Sequence, residues 1–445
     1  MMTNDIFAEG FKEEPYWWDA VPRARLAEEA LPSKADVVVV GSGFAGLNCA
    51  IEIARGGRDT LVLEAQDAGF GASTRLAGYI GRFMHYSFTK LTGMFGLENA
   101  KRMWLESGEA QTVVLKRIEQ EQMEVGKLWR GRFTGACSPE HYEMLAQNAE
   151  LINKHCPFEF SMCPKSEQHK EVGTDFWHGG MILHEHGTLH PGKYHQGLLQ
   201  AALNAGAKVH DFTPVMRIVP ERKGFTVKTA RGVVNARDVV ICTNGYTNTT
   251  ASAIPWVRNR IIPVPAHQIC TEPIPSELMK AIKPSGRAVL DSKVNIYWDR
   301  PTPDDRQIIF GARTGRDEGS LKLNARKLHD CMTEVYPQLK DVKLSHVWQG
   351  VMGFSFDKLP HMGETRDGVY YATGFCGSGL PLGTSFGKTI GNRVLGKKEG
   401  ESAFWNVGFP TWPFYNGNPW FLRAYVAWID FNDRRGGQGH IVRGG

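Results

Sequence analysis

The residues with the plainest chemical signature are three glycines and one acid. Gly41-Ser42-Gly43-Phe44-Ala45-Gly46 follows the apolar run Val37–Val40, and Glu64 closes a second apolar run at Leu61-Val62-Leu63. Gly41 permits a tight turn, Gly43 lets backbone N–H groups approach a pyrophosphate, and Gly46 lets helix and strand pack closely. A helix starting there offers free N–H donors and partial positive charge to phosphates. Glu64 stands near the spacing of roughly 20 residues at which an acid holds ribose hydroxyls. Strand, turn, helix, second strand and acid occur in order, so the segment predicts a dinucleotide site with Phe44, Ala45 and Ala65 beside its key residues. It specifies a nucleotide and leaves the reaction open.

A second strand–glycine turn–helix pattern lies far downstream, at Gly368–Thr373, Gly374-Phe-Cys-Gly377-Ser378-Gly379-Leu380 and a helical run from Gly383 to Leu395. Two such units make a simple nicotinamide dehydrogenase less attractive. His184-Glu185-His186, with His190 and His195 nearby, looks like a metal fragment. Ordinary histidines on a loop and helix entrance are the better reading, so no metal is expected. No Ser/His/Asp triad is evident.

The elements that must position these residues fit a chain of 445 residues with 42% hydrophobic and 22% charged residues, an ordinary globular composition. The formal charge of +5 is modest and the Lys and Arg residues are dispersed, so no nucleic-acid partner is expected. The eight cysteines form no CxxC pair, which suggests free thiols in a reducing compartment. No apolar run approaches the ~20 residues of a spanning helix. Asp5, Glu9, Glu13 and Glu14 stand where a signal peptide needs basic and then apolar residues, so the cytoplasm is expected.

Residues 1–35 read as an irregular leader anchored by Trp17-Trp18. The pattern predicts an α/β fold: a Rossmann-like nucleotide-binding domain, discontinuous in sequence (36–90 with 185–262 and 340–400), and an α+β substrate domain with an antiparallel sheet (91–184 with 263–339). Helical composition runs from Leu97 to Gln122 and from Pro139 to His155, while alternating strands include Val294–Trp298 and Gln307–Gly311. Residues 401–445 form an aromatic tail. Within it Phe421, Tyr425 and Trp428 recur at helical spacing and are expected to pack on the body. Contact with a membrane surface or partner is the alternative.

The order of motifs resembles the FAD-dependent amine and amino-acid oxidoreductases of the D-amino-acid oxidase superfamily. The motifs are Gly41–Gly46 with Glu64, Gly69-Phe-Gly71-Ala-Ser73-Thr74-Arg75, Leu189-His-Pro191, Cys242-Thr243-Asn244-Gly245-Tyr246, Trp348-Gln-Gly350 with Asp357–Pro360, and Gly374–Gly379. Within that superfamily the Tyr16-Trp17-Trp18 leader and the Pro413–Phe421 tail look most like the gamma-glutamylputrescine oxidase branch, which also contains pipecolate oxidases.

The resemblance implies an FAD site. Gly41–Gly46 would bind the pyrophosphate and Glu64 the adenosine ribose. Ser73, Thr74 and Arg75 would line the diphosphate and ribityl chain, joined by Val215, Thr243, Asn244 and Gly245. Gly377, Ser378, Gly379 and Leu380 would bring a helix N-terminus to the flavin, where positive potential favours the reduced anion. Some relatives link the cofactor covalently through His or Cys. Arg75, and Gly350, Val351 and Met352, stand at those places, so non-covalent FAD is expected, with His85 the remaining alternative.

For the reaction, the resemblance implies oxidation of a C–N bond in a small-molecule amine or amino acid, with an imine product that hydrolyses. O2 or an electron-acceptor partner would take the electrons. On the substrate sheet, His267 could orient or deprotonate the amine and Arg313 could pair with a carboxylate. Of Tyr297 and Trp298, adjacent on one strand, only one can face the flavin, and Tyr297 is taken as the catalytic candidate. Sarcosine oxidases place a Lys soon after the last glycine turn, where this chain has Leu380-Pro381. That departure argues against sarcosine or glycine and for a longer amine whose acid end lies elsewhere. A gamma-glutamylputrescine oxidase-like activity is the first expectation. L-pipecolate or an N-methyl amino acid is the alternative substrate, and a tRNA-modifying enzyme or the flavoprotein subunit of an electron-transfer complex is more remote.

Overall fold

A computed structural model describes residues 6–23, 25–247, 254–312 and 319–436, and the side chains of 430 and 432–436 are outside that description. Two large sheets organise the chain. The first is built on five parallel strands in the order Lys208–His210, Thr60–Leu63, Lys34–Val40, Gly232–Ile241 and Tyr370–Thr373. Val37–Val40 are buried because this strand lies mid-sheet with both faces covered, the setting in which continuous β-branched runs occur. On one face lie the helices Phe44–Arg55, Pro191–Asn204 and Pro381–Val394. On the other, an antiparallel meander of Val215–Glu221, Gly224–Thr229 and the start of Gly232–Ile241 packs with Val38, Val40, Leu61 and Leu63. Both glycine turns therefore open at the carboxyl ends of parallel strands, where α/β sheets bind ligands.

The second sheet has nine strands, in the order Phe7–Lys12, Leu344–Phe354, Ile262–Thr271, Ile308–Ala312, Tyr297–Pro301, Ala288–Asp291, Arg132–Gly135, Gly180–Leu183 and Phe160–Cys163. It is largely antiparallel, with parallel pairs at Phe7–Lys12/Leu344–Phe354 and Arg132–Gly135/Ala288–Asp291. One face buries Ile269, Phe310 and Ala312 against the helix Leu321–Val335. The other turns Ala266 and Trp298 toward Ala77 and Tyr79.

Three expectations about organisation change. The leader is not wholly irregular, because Phe7–Lys12 is an edge strand; its mixed charge hid it, and charge on an edge also keeps it from pairing further. Trp17 and Trp18 do anchor it: their indole N–H groups donate to the Leu76 carbonyl and to Thr74 Oγ1, both at 3.0 Å. Segment 340–400 is shared between the sheets, since Leu344–Phe354 is a long strand of the second sheet while Tyr370–Thr373 and Pro381–Val394 belong to the first. In the tail helix Leu422–Gly436, Leu422 and Val426 form the packed stripe. Phe421 is half-buried with its ring 6.3 Å from that of Phe356, but Tyr425 and Trp428 are exposed, so only the first of the three aromatics packs as expected. None of the eight cysteines is in a disulfide. Among the described residues no helix is long and apolar enough to cross a membrane.

Candidate active site

The first glycine turn is fitted by contacts that leave no room for side chains. Gly41 has φ +100°, and a Cβ on it would lie 3.2 Å from the Cys242 carbonyl oxygen. A Cβ on Gly46 would sit 1.9 Å from the Gly41 carbonyl oxygen, so the helix can meet the turn only without one. Ser73 Oγ accepts from Phe44 N at 3.0 Å and lies 3.0 Å from the position of a Gly43 Cβ, closing the loop 72–74 over the helix start. The Glu64 carboxylate accepts from Ser42 N, Ser42 Oγ and Ala65 N, each at 2.8 Å, which fixes it at the mouth of the turn.

These residues line a groove that also takes in Gly69–Ala72, Val215, Cys242, Thr243, Asn244 and Gly379. Of the residues expected to hold a cofactor, Gly41, Gly43, Phe44, Ala45, Glu64, Ala65, Ser73, Val215, Thr243, Asn244 and Gly379 line it. Gly46, Thr74 and Gly245 do not. They support it instead: Thr74 Oγ1 donates to the Gly69 carbonyl at 2.5 Å, and a Cβ on Gly245 would meet the Val351 carbonyl at 2.7 Å. Asn244 adopts φ +44° and its Oδ1 accepts from Gly374 N at 2.9 Å, which joins the two glycine-turn regions.

A chamber lies next to the groove, with Ala72 and Leu76 lining both. Arg75, Gly377, Ser378, Leu380 and Pro381 form part of its wall, the last at the start of the helix Pro381–Val394. The approach to that helix is tightly wound: Gly374, Cys376 and Gly377 all have positive φ, and His85 Nε2 is 2.6 Å from the Cys376 carbonyl oxygen. Arg75 donates to the Phe70 carbonyl through Nε (2.7 Å) and to the Gln349 carbonyl through a terminal nitrogen (2.9 Å); burial lowers its pKa. Gly350, Val351 and Met352 also line the chamber.

The second sheet supplies the facing wall, and strand parity decides which residues reach it. Ala266 and Gln268 line the chamber, so His267 between them points to the opposite face. Tyr297 and His267 are both register partners of Ala312, in the row that faces the Leu321–Val335 helix. Trp298 and Gln268 are both partners of Gly311, in the row that faces the chamber. A Cβ on Gly311 would lie 2.4 Å from the Trp298 ring, so the glycine is what allows the indole to lie there. The expectation that His267 and Tyr297 face this space is therefore corrected: Gln268 and Trp298 line it. Tyr297 instead donates to Cys331 Sγ at 3.3 Å, with its ring 5.5 Å from that of Phe310. Arg313 lies outside the described residues.

Sequence reasoning missed Tyr79, Gln268 and Arg132. Arg132 had no local signal: its strand reads Arg-Phe-Thr-Gly, and only the fold shows all four residues buried. His184 is 2.9 Å from Ser161 Oγ while His186 is buried against Gly81, and no cluster fit for a metal occurs among the described residues.

Comparison with known proteins gives one family: the model described as FAD dependent oxidoreductase (DAO) matches residues 36–393. The chain is 28% identical over 380 residues to the probable oxidoreductase OrdL of Haemophilus influenzae, covering 85% of this chain and 86% of that one. It is 26% identical over 409 residues to the gamma-glutamylputrescine oxidoreductase of Escherichia coli, covering 90% and 93%. Among solved structures, glycine oxidase from Geobacillus kaustophilus aligns with a TM-score of 0.69 at 19% identity, over 86% of this chain and 99% of that one.

Proposed function

Because the chain belongs to the FAD dependent oxidoreductase family, we propose that it oxidises a C–N bond in an amine or amino acid, and that a gamma-glutamylated amine is its substrate type. The carrying observation is the adjacency of the two spaces. The groove at the first glycine turn shares Ala72 and Leu76 with a chamber whose walls include the last glycine turn and the Gln268/Trp298 row. FAD held there supplies the hydride acceptor. Gly41, Gly43 and Ser73 would hold its pyrophosphate, Glu64 its ribose, and Gly377–Leu380 would present a helix start to the flavin. We take the cofactor to be non-covalent, because residues 350–352 carry no thiol and His85 is engaged with the Cys376 carbonyl.

The chain's own contribution is shape and charge. No carboxylate lines the chamber among the described residues, whereas two guanidiniums do, Arg75 and Arg132. Positive charge disfavours an ammonium and so favours the neutral amine that the reaction needs, without a dedicated base. Ala266, Leu290, Ile296, Trp298 and Met352 exclude water and set the orientation of the C–H bond. The gamma-glutamyl reading is supported by the Escherichia coli relative and by Leu380-Pro381, which offer no cation to a small substrate's carboxylate. The electrons then pass to O2 or an acceptor partner.

Anaerobic mixing with gamma-glutamylated amines, pipecolate, sarcosine and simple diamines tests the reading through flavin bleaching. A gamma-glutamyl amine is expected to bleach fastest; sarcosine fastest would refute the use made of Leu380-Pro381.

A further inference from the structure

One of the two guanidiniums of the chamber stands without a bonding partner. Arg132 lines the chamber yet is only 8% exposed, and its Nε has no hydrogen-bond acceptor. Among the described residues no carboxylate acts on it; the group that acts on it electrostatically is Tyr79, whose hydroxyl already donates to the carbonyls of Val289 (3.0 Å) and Asp299 (2.8 Å). Burial pushes its pKa down to about 10, which leaves it charged at neutral pH. Two other arginines of this region give N–H bonds to backbone carbonyls, although Arg300 Nη2, like Arg132 Nε, lacks an acceptor. Arg300 gives N–H bonds to the carbonyls of Ala77, Leu189 and Pro301, and Arg75 to those of Phe70 and Gln349.

The surroundings of Arg132 add no anion. His186 is buried, with Nδ1 lacking a hydrogen-bond partner, and burial together with Arg132 and Arg82 lowers its pKa well below the usual range, so it stays neutral. Leaving a buried charge without a counter-ion costs several kcal/mol. A guanidinium presents a planar fork that a carboxylate can meet with two parallel hydrogen bonds. We propose that Arg132 receives a carboxylate carried by the amine substrate, which makes it the specificity-determining residue on the sheet side of the chamber. The proposal rests on the amine-oxidation reading and places the acid end of the substrate against the second sheet, away from the uncharged Leu380-Pro381 turn.

Equilibrium binding to the oxidised holoenzyme tests this separately from turnover. The probes are straight-chain carboxylates from acetate to hexanoate and the matching primary amides, with the flavin absorbance shift as readout. The wild type is expected to bind the best carboxylate at least ~10-fold tighter than its amide, about 1.4 kcal/mol. Arg132→Met should erase that preference and Arg132→Lys should retain part of it. Equal binding of the two series by wild type, binding of neither, or an unchanged preference in Arg132→Met would overturn the proposal. If Arg132→Met does not fold, the wild-type comparison and Arg132→Lys still decide it. Carboxylate binding in an enzyme that no amine bleaches would refute the amine reading and leave the anion site standing.

Discussion

Gly46→Ala is the most revealing single change beneath the first glycine turn, because it adds one methyl group and no charge. The new Cβ would lie 1.9 Å from the Gly41 carbonyl oxygen and 3.0 Å from its carbon. Ordinary C···O contacts lie near ~3.3 Å, so helix and turn must separate by more than ~1 Å. The helix Phe44–Arg55 has little room to retreat. On its other side a Cβ on Gly387 would already be 2.2 Å from the Ala45 carbonyl oxygen, and one on Gly391 2.7 Å from Glu52 Cβ, so the two helices are in close contact. Overpacking costs ~1–3 kcal/mol, and backbone on both sides puts this site at the upper end. If about 3 kcal/mol falls on the FAD-competent shape of the turn, affinity for FAD drops about 100-fold. The assay is titration of apoprotein with FAD, followed by flavin fluorescence, beside a thermal melt. Gly93→Ala is the control: it lies exposed in the helix Phe88–Phe95 with nothing within 4 Å of its Cβ position, and should add ~0.5–1 kcal/mol of stability. Parent-like FAD affinity and melting temperature in Gly46→Ala would refute the packing argument.

Glu64→Gln removes the charge that holds Ser42 and Ala65 N–H groups, at ~1.5–3 kcal/mol for a charged hydrogen bond. FAD affinity should therefore fall at least ~10-fold, and unchanged affinity would remove Glu64 from the site. Trp298→Phe should alter KM and the ranking of amine substrates in steady-state assays, whereas Tyr297→Phe should leave both unchanged; the reverse pattern would mean that the strand is turned over. Acid should destabilise the fold through His190, whose pKa is pushed down to about 4 chiefly by burial. An unfolded histidine titrates near ~6.5, so the unfolded chain binds more protons between those values, and the stability present above pH ~6.5 is lost as pH falls. At pH ~5 the loss from this residue is about 2 kcal/mol. His190→Asn should shrink the difference in chemical-denaturation stability between pH ~7 and ~5, and an identical difference would discount His190.

The parts of the site that were legible in the sequence are those with local causes. A turn, its helix and its acid are set by neighbours within one βαβ unit, so Gly41–Gly46 and Glu64 could be read directly. Adjacent positions on a strand must face opposite ways, so it was equally clear that only one of Tyr297 and Trp298 could meet the chamber. Which one does is fixed by pairing with Ile308–Ala312 and Ile262–Thr271, and by the absence of a side chain at Gly311. That information is spread over three segments and has no periodic signature. The same long-range pairing placed His267 on the wrong face and hid the edge strand Phe7–Lys12. Arg132 gained significance only once its lack of an acceptor was visible, which is a property of the packed core.

The most direct test of C–N oxidation is a single anaerobic turnover with the amine that bleaches the flavin fastest, followed by analysis of products. The account predicts that each flavin reduced yields one carbonyl compound and one released amine or ammonia, formed at the carbon that bore the nitrogen. Bleaching that leaves the amine's C–N bond intact would contradict it.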